Sequence, residues 1–98
     1  MKPMINEKIK ADPLYHSITR KVSNQLKKEI KTGYNFAALD RDGALFSYHN
    51  LPDESMLSKQ WAETSGTIQT VAYVHINFTF NEERYIYENW FKLIWGLK

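Results

Sequence analysis

At 98 residues and 11.6 kDa, with 13 Lys+Arg against 11 Asp+Glu and 43% apolar residues, the sequence describes one domain. A chain this size hides roughly 60–68% of its unfolded surface, enough for one core and too little for a cofactor domain joined to a substrate domain. The sequence has no cysteine, which removes disulfides, thiolate zinc sites, iron–sulfur clusters and cysteine nucleophiles together and fits a reducing cytoplasm.

The net charge of +2 conceals an asymmetry. Residues 1 to 33 carry eight Lys/Arg and three acids, net +5, while the other 65 carry five Lys/Arg and eight acids, net −3. A basic surface on one side and an acidic one on the other are expected, and either could dock a partner. Lys2, Glu7, Lys8 and Lys10 break any apolar leader core, and no run approaches the roughly 18–20 apolar residues of a membrane span. The expected setting is therefore cytoplasmic, with no membrane.

Residues 1–11 have no period and are expected to form a flexible basic arm, with 12–98 a single α+β domain. Asp12 and Pro13 form a helix start, and Gly33 supplies a stop. Between them Tyr15, Ile18, Val22, Leu26 and Ile30 share an arc of roughly 120°, opposite Arg20, Lys21, Asn24, Lys27, Lys28 and Lys31. Next, Phe36–Leu39 and Ala44–Tyr48 flank Asp40-Arg41-Asp42-Gly43, whose Asp-Gly pair provides the positive φ of a tight hairpin.

Residues 51–65 read as a long loop, with Glu54 to Thr64 a loop or short helix pinned by Met56, Leu57 and Trp61, and 67–80 alternate as one long strand. Asn81 then caps a second, aromatic-rich helix running to about residue 96, with Glu82 and Glu83 in its first turn. The predicted fold is thus a two-layer α+β domain of order α-β-β-β-α, a hairpin plus one long strand packed with terminal helices. Its expected core is Ile18, Val22, Leu26, Leu39, Val74, Ile76, Phe78, Ile86, Trp90 and Ile94.

Four constellations bear on function. The basic helix face, Arg20, Lys21, Lys27, Lys28 and Lys31, either binds phosphates as a nucleic-acid site or merely solvates a helix. The aromatic second helix, with Trp90 and Trp95, has more apolar circumference than one sheet face covers, and the long strand has more edge than the hairpin can pair. Either the helix lies in a groove between the sheet and the first helix and the strand bends into two, or both surpluses serve an interface, for which an assembly of identical chains is the expectation.

In the loop, Trp61 either anchors to the core or stands exposed. Exposed, it and Met56 would form an apolar docking anchor ringed by Asp53 and Glu54. Finally, His16, His49 and His75 lack metal-ligand spacing, Asp40-Arg41-Asp42-Gly43 lacks the later acidic ligand of a calcium loop, and no nucleophile or phosphate-loop motif occurs. No enzyme, metal or cofactor is expected.

The run from Phe36 through Asp42-Gly43 to Leu51-Pro52, followed by Trp61 and a further strand, resembles small uncharacterised proteins of tailed phages and prophages. The resemblance covers about half the chain, residues 36–80, and leaves the basic helix outside it. It implies a host-directed protein binder, such as an inhibitor of a defence or nucleic-acid-handling protein. A protein-binding module using Asp53, Glu54, Met56, Trp61 and Trp95 is therefore the first expectation. A nucleic-acid-binding accessory protein is the alternative.

Overall fold

The first helix forms where its cap allows. Asp12 accepts from the Leu14 amide through Oδ1 at 2.9 Å and from the His16 amide through its carbonyl at 3.2 Å, and Pro13 opens α1, Pro13–Glu29. This computed structural model describes residues 2–3, 12–29, 34–55, 60–62, 68–72 and 76–97. Along α1 the buried stripe is Tyr15, Ile18, Val22 and Leu26, as the spacing predicts. Ile30 lies outside the described residues.

Two strands then pair across the predicted hairpin. β2, Phe36–Leu39, runs antiparallel to β3, Leu45–Tyr48, in the register Phe36 with Tyr48 through Leu39 with Leu45. The Gly43 amide donates to the Asp40 carbonyl at 2.9 Å, the Asp40 amide donates to the Ala44 carbonyl at 2.9 Å, and Gly43 takes φ +88°. That left-handed residue closes the turn without the steric cost a side chain would bring.

Among the described residues the main sheet has five strands in the order β1-β7-β2-β3-β6, where β1 is Lys2–Pro3, β6 is Ile68–Ala72 and β7 is Ile94–Gly96. All its pairings are antiparallel. Three expectations are corrected here. Lys2–Pro3 of the expected arm is an edge strand paired with Gly96 and Trp95. Among the described residues of the expected long strand, Ile68–Ala72 are strand and Ile76–Thr79 are not, while Thr67 and Tyr73 to His75 lie outside the described residues.

The third correction concerns the second helix. It is α2, Phe80–Asn89, followed by one 3-10 turn, Trp90–Lys92, and then β7. Its cap is Thr79 in place of Asn81: Thr79 Oγ1 accepts from the Glu82 amide at 3.2 Å, and Glu82 Oε1 accepts from the Thr79 amide at 2.7 Å. The chain leaves the helix and adds β7 to the edge of β2. There Trp95 lies opposite Ala37 and Ile94 opposite Ala38, large side chains set against small ones.

The two helices cover one sheet face. Tyr15, Ile18, Val22 and Leu26 of α1 and Tyr85 and Ile86 of α2 bury Ala37, Leu39, Leu45 and Trp95, with Ile76 and Phe78 packed partly against them. Trp95 is fully buried, and its Nε1 donates to Tyr15 Oη at 3.1 Å and Thr19 Oγ1 at 3.3 Å. The other face is covered by a second hairpin within the expected loop, β4, Asp53–Ser55, and β5, Gln60–Ala62, together with the 3-10 turn. There Ala38, Tyr48, Trp61, Trp90 and Ile94 form a second cluster, with Trp61 and Trp90 edge to face at 5.8 Å.

One charged group joins the helices. Glu82 is 1% exposed, yet its carboxylate accepts from Lys21 Nζ at 2.5 Å, from Ser17 Oγ and from the Thr79 amide. Lys21 also donates to the Asn77 carbonyl at 2.8 Å. Burial pushes the Glu82 carboxyl up, but the Lys21, Ser17 and Thr79 hydrogen bonds and the Lys21 charge outweigh it and bring the pKa down to about 2. Glu82 therefore stays ionised and ties α2 to α1.

Candidate protein-docking cleft

The cap that starts α2 also decides what the helix shows outward. With Glu82, Tyr85 and Ile86 turned inward, helical spacing puts Phe80, Arg84 and Tyr87 on the outermost stripe. Phe80 is 76% and Tyr87 61% exposed, large values for aromatic residues only seven positions apart.

Between this stripe and the Asp40–Ala44 turn lies an open cleft of about 780 Å³. Ile76, Phe78 and Ile86 line its apolar part, and Asp40, Asp42, Glu83, Arg41 and Arg84 supply its charges. The Arg41 guanidinium lies 5.6 Å from the centre of the Tyr87 ring, a cation–π contact. Arg84 Nε reaches Glu88 Oε1 at 3.1 Å, one helical turn on.

The turn holds its carboxylates in place. Asp42 Oδ1 accepts from the Ala44 amide at 2.9 Å, and Asp40 Oδ1 accepts from the Trp61 amide at 2.9 Å. Asp40 is half-buried. Burial raises its pKa, the Trp61 hydrogen bond opposes the rise, and the neighbouring Asp42 charge adds to it. The second hairpin thus braces the cleft from behind, because Trp61 also donates from Nε1 to the Leu39 carbonyl at 3.1 Å.

The residues expected to bind a partner from the loop and the second helix are dispersed. Asp53 and Glu54 are exposed on β4, Met56 lies outside the described residues, and Trp61 is only 6% exposed. Trp61 is therefore the anchor of its hairpin, and Trp95 belongs to the main core. Neither presents a surface in this chain, since both rings are packed and both indole nitrogens are bonded internally.

The basic set on α1 is also divided. Arg20 and Lys27 are exposed, Lys21 is taken by Glu82, and the side chains of Lys28 and Lys31 lie outside those described. His16 is exposed and His49 stacks on Tyr34 at 4.4 Å, on separate elements. Among the described residues no three His, Cys, Asp or Glu side chains are grouped to hold a metal ion, and no helix is long and apolar enough to cross a membrane.

Sequence reasoning misses the cleft because a strand over 67–80 puts Phe80 on the same face as Ile76 and Phe78, and a helix to residue 96 counts Tyr87 among its many apolar positions. The available signal was Thr79-Phe80-Asn81-Glu82, a capping-box pattern that fixes where α2 begins. No protein-family model, curated protein or solved structure matches the chain.

Proposed function

We propose that the chain is a small non-enzymatic protein-binding module that docks its partner in the cleft between α2 and the Asp40–Ala44 turn. The observation that carries this reading is the exposed pair Phe80 and Tyr87, with Arg41 lying on the Tyr87 ring. Tyr and Arg are over-represented among residues that dominate binding energy, and aromatic anchors bordering a concave surface are the usual centre of an interface. The resemblance to tailed-phage and prophage proteins extends the proposal to a host-directed inhibitor of a defence or nucleic-acid-handling protein.

The test compares the unaltered protein with Phe80→Ser/Tyr87→Ser. Both side chains point outward, so the double variant should keep its melting temperature within a few degrees. Proteins captured from a lysate of the source cells by the unaltered chain, and lost with the double variant, are the expected result. Identical captured sets from two equally folded proteins would remove the cleft from the proposal.

Nucleic-acid binding by α1 remains the second reading. The exposed Arg20 and Lys27 favour it, and the commitment of Lys21 to Glu82 weakens it.

A further inference from the structure

The cleft's charges do not balance. Its lining carries three carboxylates, Asp40, Asp42 and Glu83, against two guanidiniums, Arg41 and Arg84. Arg84 is already paired with Glu88, and Arg41 makes no ion pair among the described residues but sits over the Tyr87 ring. Acidic groups beside open aromatic rings form an environment that holds a cation, since the ring quadrupole and the carboxylates attract the same charge.

The chain uses this chemistry at both ends of the segment. Lys21 Nζ lies 5.8 Å from the centre of the Phe78 ring, and Arg41 sits 5.6 Å from that of Tyr87. In each pair the cation comes from outside α2 and its aromatic partner borders or lines the cleft.

We propose that the cleft reads a basic segment of its protein partner, an arginine or lysine side chain presented beside an apolar residue, and that Arg41 occupies the cation's seat on Tyr87 until the partner displaces it. The apolar neighbour packs on Phe80 and Phe78, and the incoming charge is met by Asp42 and Glu83. This rests on the cleft being the docking site and adds the chemistry of what it takes. Arg41 is then a self-ligand: it screens the carboxylates in the free protein and competes with the partner for one ring face.

The test uses three blocked five-residue peptides in which two arginines, two lysines or two glutamates flank a leucine. Binding is followed by titration calorimetry and by tyrosine fluorescence at low salt. The arginine and lysine peptides should bind, more weakly as salt rises, and the glutamate peptide should not.

Arg41→Gln should strengthen arginine-peptide binding about three- to tenfold by vacating the ring, within the range of a single cation–π contact. Asp42→Asn/Glu83→Gln should weaken it at least fivefold, as should Tyr87→Leu, with thermal melts confirming that each variant is folded. Weaker arginine-peptide binding by a folded Arg41→Gln protein would overturn the self-ligand role. Binding of the glutamate peptide in preference would overturn the cation chemistry while leaving the cleft as a docking site. Failure of all three peptides to bind at millimolar concentration would also overturn the inference, and the lysate comparison with Phe80→Ser/Tyr87→Ser would judge the docking reading separately.

Discussion

Replacing Glu82 by Gln removes the charge from a carboxylate that is 1% exposed and bonded to Lys21, Ser17 and the Thr79 amide. The fold lowers this carboxyl from 4.5 to about 2. At 1.36 kcal/mol per pKa unit, the difference is worth about 3 kcal/mol of stability at neutral pH. Breaking a buried pair by deleting one partner costs about 3–5 kcal/mol in general. Lys21, a third exposed, regains some water, so the lower end applies. For a domain of this size such a loss lowers the melting temperature by roughly 12–24 °C, a large share of a typical total of about 5–15 kcal/mol.

The pH dependence gives a sharper readout. Because the folded pKa lies below the unfolded one, the Glu82 contribution is whole above about pH 4.5 and is lost as pH falls toward 2. Urea unfolding from pH 7 down to about pH 2.5 should therefore show the two proteins converging as acid is added, with the gap closing by about 2.5 kcal/mol. Lys21→Met should instead leave an ionised carboxylate buried without its cation. Its stability gap from the unaltered protein should also narrow in acid. Parallel stability curves for Glu82→Gln and the unaltered protein across this range would refute the account of how the helices are joined.

Three other outcomes follow from the geometry. Trp61→Ala should cost about 3–5 kcal/mol in urea unfolding, because it empties the second aromatic cluster and removes the indole bond to the Leu39 carbonyl, while the backbone bond to Asp40 remains available. Trp61→Phe should cost less while leaving the Leu39 carbonyl without its indole donor. Gly43→Ala should cost about 1–2 kcal/mol from its φ of +88° alone, since an added Cβ would meet only the Phe78 ring at 3.9 Å, an ordinary contact; a thermal melt within one degree of the unaltered protein would contradict this. Arg20→Glu/Lys27→Glu should leave peptide capture at the cleft unchanged, and any salt-sensitive DNA or RNA affinity that disappears with it would locate a separate nucleic-acid surface on α1.

The parts of the fold that local chemistry decides were legible. Asp12-Pro13 and the spacing of Ile18, Val22 and Leu26 give α1, and Asp42-Gly43 gives the β2–β3 hairpin. The expected second helix is too long because Trp90, Ile94 and Trp95 fit a 3.6-residue period as well as they fit a helix end followed by a strand. A distant feature makes the choice: the edge of β2 at Ala37 and Ala38, which local periodicity does not reveal. The same long-range pairing stitches Lys2–Pro3 into the sheet.

The candidate site was hidden by one residue. A glutamate in the first turn of a helix reads as a solvated charge favourable to the helix dipole, and Glu83 fits that description while Glu82 does not. Glu82 points inward because Lys21 and Ser17, 61 and 65 positions away, satisfy it there. Its inward turn is what leaves Phe80 and Tyr87 facing out. Trp61 illustrates the converse: a tryptophan in a stretch that reads as a loop was equally consistent with docking or anchoring, and its bonds to Asp40 and the Leu39 carbonyl decide for anchoring.

The most direct test of the central claim is amide chemical-shift mapping by NMR as the arginine-bearing peptide is added to the unaltered chain. The account predicts shifts concentrated at Asp40–Ala44 and Phe80–Tyr87, with the outer face of α1 around Arg20 and Lys27 unmoved. Shifts centred on α1, or scattered evenly over the surface, would contradict it.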